Sequence, residues 1–298
     1  MTRRRSLHIG LNRVDPGQYG GWDGALDGCV NDANAMRDVA SARGFSAESL
    51  LDEGATITAV RDRLDDAAAQ LEAGDFFFLT YSGHGGQITD VDRDENDGYD
   101  ETWCLYDTEL VDDSLYGALC TFKRGVRVFV MSDSCHSETV IRGRPRPRPR
   151  VVERPGHKPK LAPLEATYAE FAKNREVYAA QRAWWTPRAR VPSNADANVV
   201  LISGCQDQQT SLDGPVNGAF TTAFLDVWKG DYRKGYRDLR DDIVAAVNNP
   251  DQTPGIFYYG QDVAGMLPQI PLSDEEAMPA VPSGFRGIFP NANLPQVN

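Results

Sequence analysis

The chain has 298 residues, of which 41% are hydrophobic, and a formal net charge of −12. That length suits one large α/β domain or two smaller ones, and no run reaches the about 18 apolar residues of a membrane span. The acidic excess argues against nucleic-acid binding by the protein as a whole and suits a cationic substrate.

Residues 7–11 read as a first strand, and the glycine-rich 17–28 as a loop. Residues 29–43 have helical spacing, with Val30, Ala33, Met36, Val39 and Ala40 on one face and Gly44 as the stop. A second strand is expected within 45–51 and a second helix over 58–71, with Val60, Leu64, Ala67, Ala68 and Leu71 aligned. Phe76 to Tyr81 is a third, buried strand. The order β-α-β-α-β predicts a parallel sheet with helices on its faces.

Residues 89–114 form a long connection rich in acids, among them Asp90, Asp92, Asp94, Asp100, Asp107, Asp112 and Asp113. It reads either as a solvated loop or as a site for a hard cation. An EF-hand is excluded, because Glu95 or Asp97 falls where the turn glycine belongs. Val128 to Met131 is a fourth buried strand, leading into Asp133-Ser-Cys135-His136.

Arg and Pro alternate from Arg142 to Arg150, which favours an extended form with no place in a core. A helix is predicted over 164–185, with Leu164, Tyr168, Phe171 and Tyr178 on one face, ended by Pro187 and Pro192. Residues 142–190 hold 13 Lys/Arg against 4 Asp/Glu. The 142–195 segment therefore reads as a basic insert between two halves of one domain, 5–141 and 196–265. The second half has a strand at 198–203, helices at 218–228 and 236–247, and a last strand at 256–259. Residues 266–298 carry six prolines and no periodicity, so a surface tail is expected.

Two strand ends carry the chemistry. Cys135 and His84 each follow a buried strand, where open α/β sheets place their sites. A lone cysteine is usually a small buried hydrophobe, but a thiol beside an imidazole is the makeup of a thiolate nucleophile and its base. The Gly85 and Cys135 N–H groups are placed to form an oxyanion hole. A zinc site at Cys135 and His136 has poor ligand spacing, and no Cys-x-x-Cys is present. Five widely spaced cysteines suit reduced thiols in a cytoplasm. The basic start at Met1 lacks the apolar stretch of a secretory signal. Asp32 either caps the first helix or converges with Asp133 on a pocket for a guanidinium or ammonium group. No third residue orienting His84 is evident.

Tyr-Ser-Gly-His-Gly at 81–85 and Asp-Ser-Cys-His-Ser at 133–137 resemble the two catalytic signatures of the metacaspases. SGCQDQQTS at 203–211, GAFTTAFL at 218–225 and QTP at 252–254 resemble motifs of their small subunit, so the resemblance covers roughly 5–262 outside the insert. It implies a caspase-like three-layer α/β sandwich, a largely parallel six-stranded sheet with helices on both faces. It implies a cysteine endopeptidase cutting after Arg or Lys, with Cys29, Asp32, Ser82 and Asp133 lining the specificity pocket. It implies calcium at Asp100, Asp112 and Asp113, although Arg142 stands where the family has a further acidic ligand; the dyad chemistry itself requires no cofactor.

The insert lies where such enzymes join their halves, which implies self-cleavage. Arg144, Arg146, Arg148 and Arg154 each precede a proline and are disfavoured. Arg150-Val151 is the first choice and Lys160-Leu161 the second. The expected partners are protein or peptide substrates with Arg or Lys before the cut bond, acted on by a cytoplasmic monomer without membrane or nucleic acid. Two alternatives stand beside this reading: a catalytically silent caspase-fold module that binds an acidic partner through the Arg/Pro segment, and a cysteine hydrolase of the same clan acting on a non-peptide acyl group.

Overall fold

The apolar spacing of the first third produces the predicted alternation: β1 (Arg4–Gly10), α1 (Cys29–Ala42), β2 (Ser46–Leu51), α2 (Ile57–Gln70) and β3 (Phe76–Ser82). The computed structural model describes residues 2–89, 99–135, 155–189, 196–206 and 209–275. Arg142, Arg150 and the acids from Asp90 to Asp97 lie outside the described residues. After β3 come β4 (Gly85–Thr89), β5 (Tyr99–Cys104), β6 (Glu109–Val111), α3 (Asp112–Leu119) and β7 (Arg127–Asp133). Then follow β8 (Lys158–Pro159), α4 (Leu164–Lys173), α5 (Arg175–Ala189), β9 (Asn198–Ser203), β10 (Leu212–Asp213), α6 (Ala219–Trp228), α7 (Tyr236–Val247), β11 (Gly255–Tyr259) and α8 (Val263–Met266).

The main sheet has six strands in the order β11-β9-β7-β3-β1-β2. All its pairings are parallel except β11 with β9. Alternate residues of each strand face opposite sides, and each side has its own core. On one side Leu7, Ile9, Leu79, Val128 and Val130 pack with Val60 and Leu64 of α2 and Leu115 of α3. On the other, Phe78, Phe129, Met131 and Ile202 pack with Met36 of α1, Phe220 and Phe224 of α6, and Leu239 and Ile243 of α7. This is the expected three-layer sandwich with a largely parallel six-stranded sheet. From β1 the chain goes to β2 on one side, then to β3, β7 and β9 on the other. Such a reversal of strand order opens a crevice at the carboxyl ends of the strands.

Three stretches differ from expectation. The acidic connection is not a plain loop: β4, β5 and β6 form a second, antiparallel sheet, and α3 follows directly. Ile88, Trp103, Leu110 and Leu115 are buried there, an apolar framework obscured by the acids between them. The helix expected over 164–185 is two helices divided at Asn174, whose side-chain amide donates to Glu170 Oε1 at 2.7 Å. α5 continues to Ala189 and includes Pro187, since a proline near a helix end removes few backbone bonds. Finally, residues 266–275 are not draped on the surface, because Met266, Leu267, Ile270 and Leu272 are buried.

Candidate active site

The two signature strands lie side by side in parallel, with Ser82 opposite Asp133. His84 and Cys135 therefore leave the sheet together at its carboxyl edge, both buried. Gly85 lies against the cysteine, and a Cβ there would overlap the Cys135 carbonyl oxygen. Only glycine allows this approach. The Cys135 thiol points toward Ser211 O, 3.8 Å away, and is in hydrogen-bonding contact with the buried Cys205 thiol.

The group that orients His84 is a main-chain carbonyl, which is why no side chain in the sequence announced it. His84 Nε2 lies 3.1 Å from Gly24 O, in the loop before α1. Holding Nε2–H on that carbonyl leaves Nδ1 as the basic nitrogen, and Nδ1 has no hydrogen-bond partner among the described residues. Trp22 of the same loop packs edge-on against the imidazole at 4.7 Å between ring centres. The His84 backbone is also fixed, its carbonyl accepting from Tyr81 Oη at 2.7 Å and Cys104 N at 3.0 Å. Burial pushes the His84 pKa down to about 3, with Lys160 and Lys158 adding to the effect against the Gly24 carbonyl. The imidazole is thus neutral in this arrangement.

The crevice holds a segment of the chain itself. Lys160 is fully buried, and its Nζ donates to Asp32 Oδ2 at 3.2 Å, Ser82 Oγ at 2.9 Å and Asp133 Oδ2 at 2.9 Å. The three ammonium protons thus have three acceptors. Burial opposes the Lys160 charge, but Asp133, Cys29, Asp32 and Asp213 outweigh it and push the pKa well above the usual lysine range. Asp32 is held in turn by Ser82 Oγ at 2.7 Å, Asn217 Nδ2 at 2.8 Å and Gly218 N at 3.0 Å. Asp133 accepts from Ser211 Oγ and from Thr221 Oγ1. Cys29 reaches Asp213 Oδ1 at 3.7 Å rather than the ammonium.

The backbone of this segment is held as firmly as its side chain. Lys160 O accepts from Gly85 N at 3.0 Å and Cys135 N at 3.4 Å, the two donors predicted for an oxyanion hole. Lys160 N donates to Ser211 O at 2.9 Å, and Ala162 N donates to Gly85 O at 2.9 Å. Upstream, β8 pairs antiparallel with β10, placing Pro159 opposite Leu212 and Lys158 opposite Asp213. The segment lies as an added strand, the usual pose of an extended peptide in a cleft.

Of the residues expected at the site, His84, Gly85, Cys135, Cys29, Asp32, Ser82, Asp133 and Lys160 meet here. Gly24, Trp22, Ser211, Asp213, Asn217 and Thr221 were missed individually. The motif around Gln206 to Ser211 pointed to the region without giving roles. Among the described residues, the three ligand atoms of Cys29, Asp32 and Asp213 lie within 4.8 Å of one another, but the Lys160 ammonium is bonded to Asp32 there. The residues implied for calcium lie apart, on β5 and α3. Burial raises the Asp112 carboxyl well above its ordinary range, and Asp113, Glu101 and Asp100 raise it further. Among the described residues, Asp100, Asp112 and Asp113 do not form a group whose ligand atoms converge as those of Cys29, Asp32 and Asp213 do.

A model of the caspase domain matches residues 10–271. Metacaspase-1A of Neurospora crassa is 29% identical over 279 residues, covering 81% of this chain and 59% of that protein. Metacaspase-1 of Saccharomyces cerevisiae is 29% identical over 279 residues, covering 80% and 62%. The chain thus spans about three fifths of the length of these curated relatives. Among solved structures, protein GSU0716 of Geobacter sulfurreducens superposes with a TM-score of 0.78 at 42% identity, covering 92% of this chain and 100% of that one. Caspase-1 of Spodoptera frugiperda superposes with a TM-score of 0.51 at 12% identity, covering 86% of each chain, a likeness of fold. Among the described residues no helix is long and apolar enough to cross a membrane. With the family's domain spanning most of its length and its two catalytic signatures meeting at one sheet edge, this chain belongs to the caspase-domain family, with metacaspases among its relatives.

Proposed function

We propose that the chain is a cysteine endopeptidase that cuts after Lys or Arg, and that Lys160-Leu161 is its own first substrate. The observation that carries this reading is the seating of Lys160, with its ammonium between Asp32 and Asp133 and its carbonyl on the Gly85 and Cys135 N–H groups. In the reaction, Cys135 Sγ attacks the Lys160 carbonyl carbon as the thiol proton passes to His84 Nδ1. The two N–H groups hold the negative oxygen that forms. The C–N bond then breaks, and the Leu161 amine takes the proton from the imidazolium. A water gives a proton to His84 and its oxygen to the thioester carbonyl, and Cys135 leaves as the thiol. Neutral His84, presenting Nδ1, is ready to act as the base. Calcium, if bound, would be held by Asp100, Asp112 and Asp113 as a structural charge, and none of these steps passes through it.

Self-cleavage would free the Asp32–Asp133 pocket for other proteins. Two buried carboxylates without a cation are costly, so the emptied pocket selects basic side chains. The test incubates wild type and Cys135→Ala, each with calcium and with chelator, sequences new N-termini, and assays peptides ending in Lys, Arg or Asp. A terminus at Leu161 in wild type alone, with cleavage after Lys and Arg, is the expected result. Preference for Asp, or hydrolysis surviving in Cys135→Ala, would refute the reading.

A further inference from the structure

We infer that the cleft reads a second basic side chain, two residues upstream of the residue before the cut, through the carboxylate of Asp27. This rests on the reading of Lys160 as the residue before the cut. Lys158 occupies that upstream position, and its Nζ lies 2.8 Å from Asp27 Oδ2 and 3.3 Å from Ala25 O. The contact is registered by backbone on both sides. Lys158 pairs with Asp213 across β8 and β10, while the Asp213 carboxylate accepts from Asp27 N at 2.7 Å and from Gly28 N at 3.2 Å. One residue thus holds both the docked strand and the loop that bears Asp27. The same loop supplies Trp22 and the Gly24 carbonyl to His84, so it serves the base and the upstream subsite together.

The residue between the two lysines is Pro159, and its position explains why proline is accepted there. An edge strand bonds through alternate residues, and here the Lys160 N–H donates to Ser211 O. An N–H at the next position upstream would face away from β10, so its absence in proline costs nothing. Proline also restricts the chain to an extended form before binding. The substrate class is therefore a segment with a basic residue, any residue including proline, then Lys or Arg before the cut. Arg146-Pro-Arg148 and Arg148-Pro-Arg150 of the same insert have this spacing, but a proline follows Arg148 and only Arg150 is followed by Val151.

Lys158 and Asp27 are 46% and 53% exposed, which sets the size of the effect. An exposed ion pair of this kind contributes a factor of up to about 5 and weakens with salt. Matched peptides carrying Lys, Ala or Glu at the upstream position, each with Lys before the cut, test the inference in wild type and Asp27→Lys. In wild type, kcat/KM should fall in the order Lys, Ala, Glu, by about 3- to 5-fold per step, with the spread narrowing at high salt. Asp27→Lys should reverse the order, favouring Glu. Equal cleavage of all three peptides in wild type, or an order unchanged by Asp27→Lys, would overturn this inference alone. No cleavage of any peptide would overturn the Lys160 reading and this one with it.

Discussion

Two buried acidic groups fasten the 155–189 segment to the body, and they solve the same problem in opposite ways. In the cleft, Asp32 and Asp133 enclose the Lys160 ammonium, which offsets one of the two buried negative charges, while burial, then the Asp32 charge, raises the Asp133 carboxyl against the pull of Lys160. Between β6 and α4, Glu109 meets Glu170 with no cation between them among the described residues. Thr102 donates to Glu109, while Thr108, Tyr178 and Asn174 donate to Glu170. Glu109 Oε1 has no hydrogen-bond partner among the described residues. Burial, then the Glu170 charge, pushes the Glu109 pKa up to about 8, against the Thr102 hydroxyl. The first group is held by a lysine, the second by a proton. The difference teaches which fastening responds to what: a basic peptide competes for the first, and rising pH loosens the second.

The largest effect should come from removing the cation. In a Cys135→Ala background, where the chain stays whole, Lys160→Ala leaves Asp32 and Asp133 buried and unpaired. Breaking a buried pair in this way costs about 3–5 kcal/mol. Thermal unfolding should show the loss, and Lys160→Arg should recover much of it; an unchanged Tm would mean that Lys160 does not fasten the segment.

Removing one of the two carboxylates should be milder. Asp133→Asn is expected to lower kcat/KM on Lys peptides about 10- to 100-fold, the loss of a charged hydrogen bond of about 1.5–3 kcal/mol. Kinetics on peptides with Lys and with an uncharged residue before the cut separate this from general damage, because only the Lys peptides should lose so much.

The proton-held group should show itself through pH. Glu109 binds its proton more tightly in the folded chain than at its ordinary value of 4.5. Its contribution is therefore complete below pH 4.5 and is lost as pH rises through about 8. Between pH 6 and pH 9 the loss is on the order of 2 kcal/mol. Glu109→Gln, which cannot ionise, should flatten that slope in denaturant unfolding of Cys135→Ala. An identical slope in the two proteins would place the pH sensitivity elsewhere.

Local pattern made much of this molecule legible. The β-α-β-α-β start, the strand before Cys135 and the helix α7 follow from apolar spacing, because each element's pattern records the surface it buries. The meeting of His84, Cys135, Asp32 and Asp133 was legible because chemistry restricts which residue types can end two neighbouring strands in this way. The second sheet of β4, β5 and β6 was not, since acids within its strands, Asp100 and Glu109 themselves buried, masked the buried Ile88, Trp103 and Leu110. The division at Asn174 was hidden as well, because apolar residues at helical spacing continue on both sides of it.

What the sequence determined by itself is the order of the elements and which thiol and imidazole end neighbouring strands, Cys135 and His84. What only the tertiary structure decided is which basic residue enters the pocket. Reach along the chain favoured Arg150 over Lys160, but the seating of Lys160 rests on Asp32, 128 residues away, and on the β10 edge that aligns its backbone. The same holds for the Gly24 carbonyl beside His84, 60 residues away. A main-chain oxygen has no residue type to signal it, and contacts between distant residues arise only when the sheet brings its strand ends together.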